Sequence, residues 1–200
     1  MIFSIATMTI DDNTKYKLMV LRQLFGGSIE CRIPEGWRDV SDIRQVPDHQ
    51  ECWQDDQGKL LVIEILDYQA DINDDQAAHY FFQDLAESNG VINPQDVSFA
   101  PSDPSPVIAS LPPTAVLCTG SGSQRIIQGR ERISQPSNPI WINVDLCAIR
   151  LPTVSTDILI TLTSPAASNP QGDGNGTKPS LQFLEILASF CIRNWSLFGP

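Results

Sequence analysis

Apolar and polar residues alternate from Ser28 to Ile33, with Ile29, Cys31 and Ile33 on one side and Ser28, Glu30 and Arg32 on the other. This is the period of a half-buried strand, opened by Gly26-Gly27 and closed by Pro34. From Glu35 to Asp42 the pattern predicts a turn or a single helical turn, with Trp37, Val40 and Ile43 pointing inward and Arg38, Asp39 and Asp42 in water. Val46-Pro47-Asp48 predicts an extended bend, because the proline pushes Val46 out of the helical region and itself has no N–H to donate. A strand resumes over Glu51–Gln54 and a tight hairpin loop follows over Asp55–Gly58. The nearly continuous apolar run from Lys59 to Leu66 then predicts a central strand covered on both faces.

Further along, Asp74 or Asp75 is expected to cap a helix whose Ala78, Phe81, Phe82 and Leu85 fall at helical spacing, ended by Asn89-Gly90 in a left-handed cap. The prolines between Asn93 and Pro113 exclude a helix and leave room for one short strand near Val97. Ala115–Thr119 and Gln124–Ile133 read as strands joined by a turn at Gly120-Ser121-Gly122-Ser123. Ile140–Leu151 and Asp157–Thr163 read as two more, joined at Pro152–Ser155, and such short connections make neighbours antiparallel. Pro165–Pro179 reads as a loop, after which Ser180 caps a last helix with a stripe of Leu181, Leu184, Leu187, Ala188 and Cys191. Residues 1–23 read as an N-terminal extension in which Tyr16–Leu24 either adds a strand or lies on the body. The pattern predicts antiparallel hairpins and two main helices, the content of an α+β protein.

The chain has 200 residues and a formal net charge of −11, which argues against nucleic acid or an anionic membrane as partner, since both attract Lys and Arg. No apolar stretch approaches the roughly 20 residues of a membrane helix. The N-terminus lacks the basic and apolar regions of a signal peptide, so an intracellular protein is expected. The five cysteines are widely spaced and read as buried free thiols. Residues 35–75 hold twelve acids against Arg38, Arg44 and Lys59, a net −9 in 41 residues. Such a run reads either as a solvated face or as the contact for a basic protein partner.

No constellation for covalent chemistry stands out. Gly120-Ser121-Gly122 is followed by strand alternation, with no helix N-terminus to hold a phosphate. Asp173 and Asn175 lack the remaining ligands of a calcium loop, and His49 and His79 lie on separate elements. Catalytic residues, cofactors and a metal are therefore not expected.

Leu24-Phe25-Gly26-Gly27, Asp39-Val40-Ser41-Asp42-Ile43-Arg44 and Val46-Pro47-Asp48-His49-Gln50-Glu51, followed by Leu61–Leu66, resemble the Ran guanine-nucleotide release factors, small nuclear-import proteins that bind the GTPase Ran. The resemblance spans residues 24–200 and is densest up to Asn89, with further matches at His79–Leu85, Ala148–Leu151, Thr156-Asp157 and Leu197-Phe198-Gly199-Pro200. It implies one α+β domain over residues 24–200, with a single largely antiparallel sheet of about six strands sandwiched between helices like the photosystem extrinsic protein PsbP. It also implies a monomer of nucleus and cytoplasm that loosens the nucleotide of Ran without covalent chemistry. The intact Val-Pro-Asp-x-Gln-Glu pattern implies Asp48 and Glu51 as the centre of the Ran contact, with Asp39, Asp42 and Arg44 as neighbours. Two other roles go with the same likeness: an adaptor that escorts a membrane channel, and a structural subunit of a photosynthetic complex. The latter would need a transit peptide, for which this N-terminus is too short and acidic.

Overall fold

The computed structural model describes residues 7–10, 16–102, 107–127, 139–166 and 178–199. Its strands are β1 (Thr7–Ile10), β2 (Tyr16–Leu24), β3 (Ile29–Pro34), β4 (Arg38–Asp39), β5 (Gln50–Gln54), β6 (Leu60–Asp67), β7 (Val97–Pro101), β8 (Val116–Ile127), β9 (Pro139–Leu151), β10 (Thr156–Pro165) and β11 (Cys191–Ile192). Two helices, α1 (Asp74–Ser88) and α2 (Leu181–Ser189), complete the regular structure.

The strands form two antiparallel sheets, not the single six-stranded sheet expected. One has seven strands in the order β4-β5-β6-β10-β9-β8-β7, the other four in the order β1-β2-β3-β11. Alternation shows that Ser28–Ile33 is a strand but carries no information about its partner. At Pro34-Glu35-Gly36 the chain leaves the small sheet, with Gly36 at φ +86°, and starts the large one. Residues 16–23, grouped with the N-terminal extension in the sequence, belong to β2, which pairs along β3 from Met19↔Pro34 to Leu24↔Ile29.

Period-two alternation along the central strands splits the core into two layers. Cys147, Ile149 and Leu151 of β9, with Ile158, Ile160, Leu61 and Ile63, pack against Leu24, Ile29, Cys31 and Ile33 of the small sheet and Phe183, Ile186 and Leu187 of α2. Val144, Leu146 and Ala148 turn to the opposite face and meet Ala77, Ala78, Phe81 and Phe82 of α1. Helices thus flank the large sheet on both sides, but the small sheet shares one face with α2.

Four local expectations change. Gly120–Ser123 is not a turn: β8 runs unbroken through it, pairing with β7 and β9. A Cβ on Gly120 would lie 2.2 Å from the Phe99 ring, and one on Gly122 would lie 2.0 Å from the Ser98 carbonyl oxygen and 2.6 Å from the Phe82 ring. The glycines therefore serve close packing inside a strand, the other reason for glycine there. The second half of the strand expected over Gln124–Ile133, the loop at Pro165–Pro179 and the Asp173/Asn175 pair lie mostly or wholly outside the described residues. The α1 N-cap is Asn73, and the Asp74 carboxylate instead accepts from Arg150. Ser180 does cap α2, its Oγ accepting from the Phe183 N–H, yet the buried face is Phe183, Ile186 and Leu187, while Leu181 is 66% exposed and Cys191 lies beyond the helix in β11. Finally Ile43 faces water, 67% exposed, whereas Trp37 and Val40 are buried as expected.

Candidate functional site

The expected site residues fall along one edge of the large sheet, on β4, the segment after it, and the start of β5. Asp39 ends β4 and caps the 3-10 turn Val40–Asp42, its Oδ1 accepting from the Ser41 N–H at 2.8 Å. Val40 is buried and fixes that turn, and the amides of Ile43 and Arg44 both donate to its carbonyl. Asp42, Ile43 and Arg44 are thereby left on the outside. After Pro47 the chain turns once more, closed by the Gln50 N–H donating to the Pro47 carbonyl at 2.9 Å. The Ile65 N–H donates to the His49 carbonyl, so β6 holds the end of this turn as it enters β5.

The five residues divide by what their side chains already do. Asp48, Asp42 and Arg44 are exposed, and among the described residues none has a side-chain hydrogen bond or ion pair. Glu51 is half-buried and its Oε1 accepts from the Phe25 N–H at 2.5 Å. That contact fastens the turn Phe25-Gly26-Gly27, in which φ is +50°, +64° and +88°. A left-handed phenylalanine is a conformation the surroundings must hold. Burial pushes the Glu51 carboxyl up, the Phe25 amide pulls it back, and the Asp39 carboxylate pushes it up again.

Several contributors were not legible in the sequence. Glu64 of β6 accepts from the Gln50 side-chain amide at 2.6 Å and sits 3.3 Å from Nε2 of the exposed His49. Burial raises the Cys52 thiol, the Arg44 guanidinium pulls it down, and the carboxylates of Glu51, Glu64 and Asp39 push it up again. The acidic run itself is split: Asp55 is buried and caps its own hairpin loop by accepting from the amides of Gln57 and Lys59, at the other end of β5 from Asp48.

A second polar group underlies the acidic loop after β6. Arg150 of β9, 1% exposed, donates to the carbonyls of Ile72 and Gln69 at 2.6 Å each and to Asp74 Oδ1 at 2.7 Å. Its Nε lies 3.4 Å from Asp157 Oδ1, and its guanidinium stacks 4.5 Å from the Tyr68 ring centroid. Asp157 Oδ2 accepts from the Gln69 N–H at 2.9 Å. The pair Arg150/Asp157 pins the segment between β6 and α1 to the sheet. All five cysteines are free, and burial raises the thiols of Cys31 to about 12 and Cys118 to about 11, values of inert core thiols. Among the described residues there is no cluster of three or more potential metal ligands, and no helix is long and apolar enough to cross a membrane.

The family described as Ran-interacting Mog1 protein matches residues 22–165, a span that holds the whole sheet edge and the Arg150/Asp157 pair. The chain belongs to the Mog1 family. A Ran guanine nucleotide release factor of Danio rerio is 32% identical over 187 residues, covering 89% of this chain and 99% of that relative. The Homo sapiens protein of the same name is 28% identical over 186 residues, covering 88% and 95%. The crystal structure of the Saccharomyces cerevisiae Ran-binding protein Mog1p superposes with a TM-score of 0.67 at 20% identity, over 92% of this chain and all of that one. The two antiparallel sheets and two helices are thus the Mog1 fold.

Within this Mog1 chain, Glu51→Ala is expected to cost about 1–3 kcal/mol, since it leaves the Phe25 N–H without its acceptor and frees a strained turn. Glu51→Gln keeps an acceptor and should cost less. The pH dependence has a definite sign. A carboxyl raised by folding favours the fold while protonated, so its contribution is full below the ordinary glutamate range and is lost as pH rises through the raised value. Urea denaturation of the wild type and Glu51→Gln across that range should show this slope in the first and a flatter profile in the second.

Proposed function

We propose that this Mog1 family member binds Ran and promotes release of its guanine nucleotide, in support of nuclear protein import between cytoplasm and nucleus. The names of its relatives support the partner and the release step. The observation that carries the site is Asp48: an exposed carboxylate without a partner among the described residues, on a turn stiffened by Pro47 and anchored to β6. A carboxylate presented on a fixed backbone loses little freedom on docking, which turns a charge into a specific contact. Asp48 and Glu51 form the centre of this contact, with Asp39, Asp42 and Arg44 beside them. Glu51 and Asp39 hold the turns on either side, and Asp48, Asp42 and Arg44 meet the partner. The protein acts as a monomer.

Release by binding alone requires a difference in affinity. The factor binds opened or nucleotide-free Ran more tightly than the loaded form, and its effect cannot exceed that ratio. A nucleotide is held by basic groups and Mg²⁺ around its phosphates, for which exposed carboxylates are natural competitors.

Stopped-flow association with Ran tests the contact. The net charge of −11 should steer the encounter, and the on-rate should fall steeply as the screening length shrinks from about 10 Å at 0.1 M salt to about 3 Å at 1 M. Asp48→Ala should shorten the lifetime of the complex, whereas neutralising the distant Asp71 and Asp75 should slow association and leave the lifetime alone. A salt-independent on-rate together with an unchanged lifetime for Asp48→Ala would remove this edge from the interface.

A further inference from the structure

Helix α1 covers only half of its face of the large sheet. It packs on β7, β8 and β9. On the other half, β5, β6 and β10, together with Ile140 and Ile142 of β9 and Ile126 of β8, line an open groove of about 510 Å³. Val62, Leu66 and Leu159 lie on its floor, and Leu85 and Asp84 of α1 make one wall. Apart from Arg44 at the far side, the charged groups lining it are the carboxylates Glu64 and Asp84. Glu64 is engaged by Gln50 and His49, but Asp84 is exposed and has no side-chain partner among the described residues.

The dimensions indicate what the groove accepts. Three strands at a spacing of about 4.8 Å span about 10 Å, and a helix with its side chains is about 10–12 Å across. A helix laid beside α1 at the usual interaxial distance of about 8–10 Å would therefore fill the half of the face that the described residues leave uncovered. Its apolar stripe would rest on Val62, Leu66 and Leu159, and a cation along its border would meet Asp84. We propose that this groove is a docking site for a helical segment of a protein partner, apolar on one face and bordered by Lys or Arg. The mode is helix-in-groove recognition, with charge complementarity at the rim. The groove shares Arg44 with the proposed Ran contact, but Asp48 does not line it, and the proposal does not depend on Ran being the partner.

The probe is a fluorescein-labelled synthetic amphipathic peptide with a leucine and alanine stripe bordered by lysines, titrated against the full chain by anisotropy. A glutamate-bordered peptide and a scrambled one of the same composition serve as comparisons. Saturable binding of the lysine-bordered peptide, about tenfold or more tighter than either comparison, is expected. Val62→Lys should remove it. Asp84→Lys, a change at an exposed position, should weaken the lysine-bordered peptide and strengthen the glutamate-bordered one. Amide chemical shifts of the wild-type protein should move along β5, β6, β10 and α1, a readout that needs no variant to fold. Asp48→Ala should leave peptide binding unchanged, so failure here and failure of the Ran contact are distinguishable. No saturable binding, equal binding of the scrambled peptide, or shifts confined to another surface would overturn the proposal. So would self-association of the chain that Val62→Lys abolishes, because the occupant would then be a second copy.

Discussion

Replacing Arg150 with methionine is expected to cost the fold about 3–5 kcal/mol, the range for removing one partner of a buried ion pair. Methionine fills much of the volume but donates nothing. The carbonyls of Gln69 and Ile72 would lose their donors, and Asp157, with 0% of its side chain exposed, would keep a charge with no cation beside it. Already in the native protein burial raises the Asp157 carboxyl, while the Gln69 amide and the Arg150 guanidinium pull it down. Without Arg150 it rises further. A raised carboxyl favours the fold only while protonated, so the deficit of Arg150→Met should grow as pH increases from about 5 to about 8. Adding Asp157→Asn should recover part of the loss by deleting the stranded charge. Chemical denaturation of the two variants at both pH values checks this. A pH-independent deficit unaffected by Asp157→Asn would mean that Arg150 matters by volume alone.

Gly122→Val should be the other severe change, with a loss at or beyond the upper end of the about 1–3 kcal/mol usual for overpacking. The nearest obstruction to any Cβ at Gly122 is the backbone carbonyl of Ser98 at 2.0 Å, which cannot rotate away as a side chain would. Edge strand β7 must move off β8, or Phe82 must leave its place in the core under α1. At Gly120 the closest atoms belong to the Phe99 ring, although the Ala100 carbonyl lies 2.8 Å away, so Gly120→Ala should cost less than Gly122→Ala. Hydrogen exchange of the β7 amides reports the mechanism directly. Accelerated exchange at Val97–Pro101 with β9 and β10 still protected is the expected pattern, and native-like protection of β7 in Gly122→Val would contradict it.

What could be read from the sequence follows from how local each cause is. Strand alternation at Ser28–Ile33, the Asp55–Gly58 loop, the Ser180 cap and the Pro152–Ser155 turn depend on neighbours within a few residues, and all are present. Sheet membership of β2 and β3 depends on pairing at a distance, and no periodicity encodes it. Gly120–Ser123 has the composition of a turn because its reason for being small lies in Phe82 and Phe99, far away in the chain. Asp74 looks like a helix cap until Arg150, 76 residues later, takes its carboxylate. At the site, the Val-Pro-Asp-x-Gln-Glu pattern points to Asp48 and Glu51. It gave no sign that Glu51 would be bound to the Phe25 amide, or that Ile43 would face water beside Asp42 and Arg44.

The most direct measurement is release of a fluorescent guanine nucleotide from loaded Ran as this chain is titrated in. Acceleration that rises with concentration to a plateau is predicted, reduced in Asp48→Ala while the variant's denaturation midpoint stays at the wild-type value. Release at the intrinsic rate with Ran saturated by the folded wild-type protein would contradict the account.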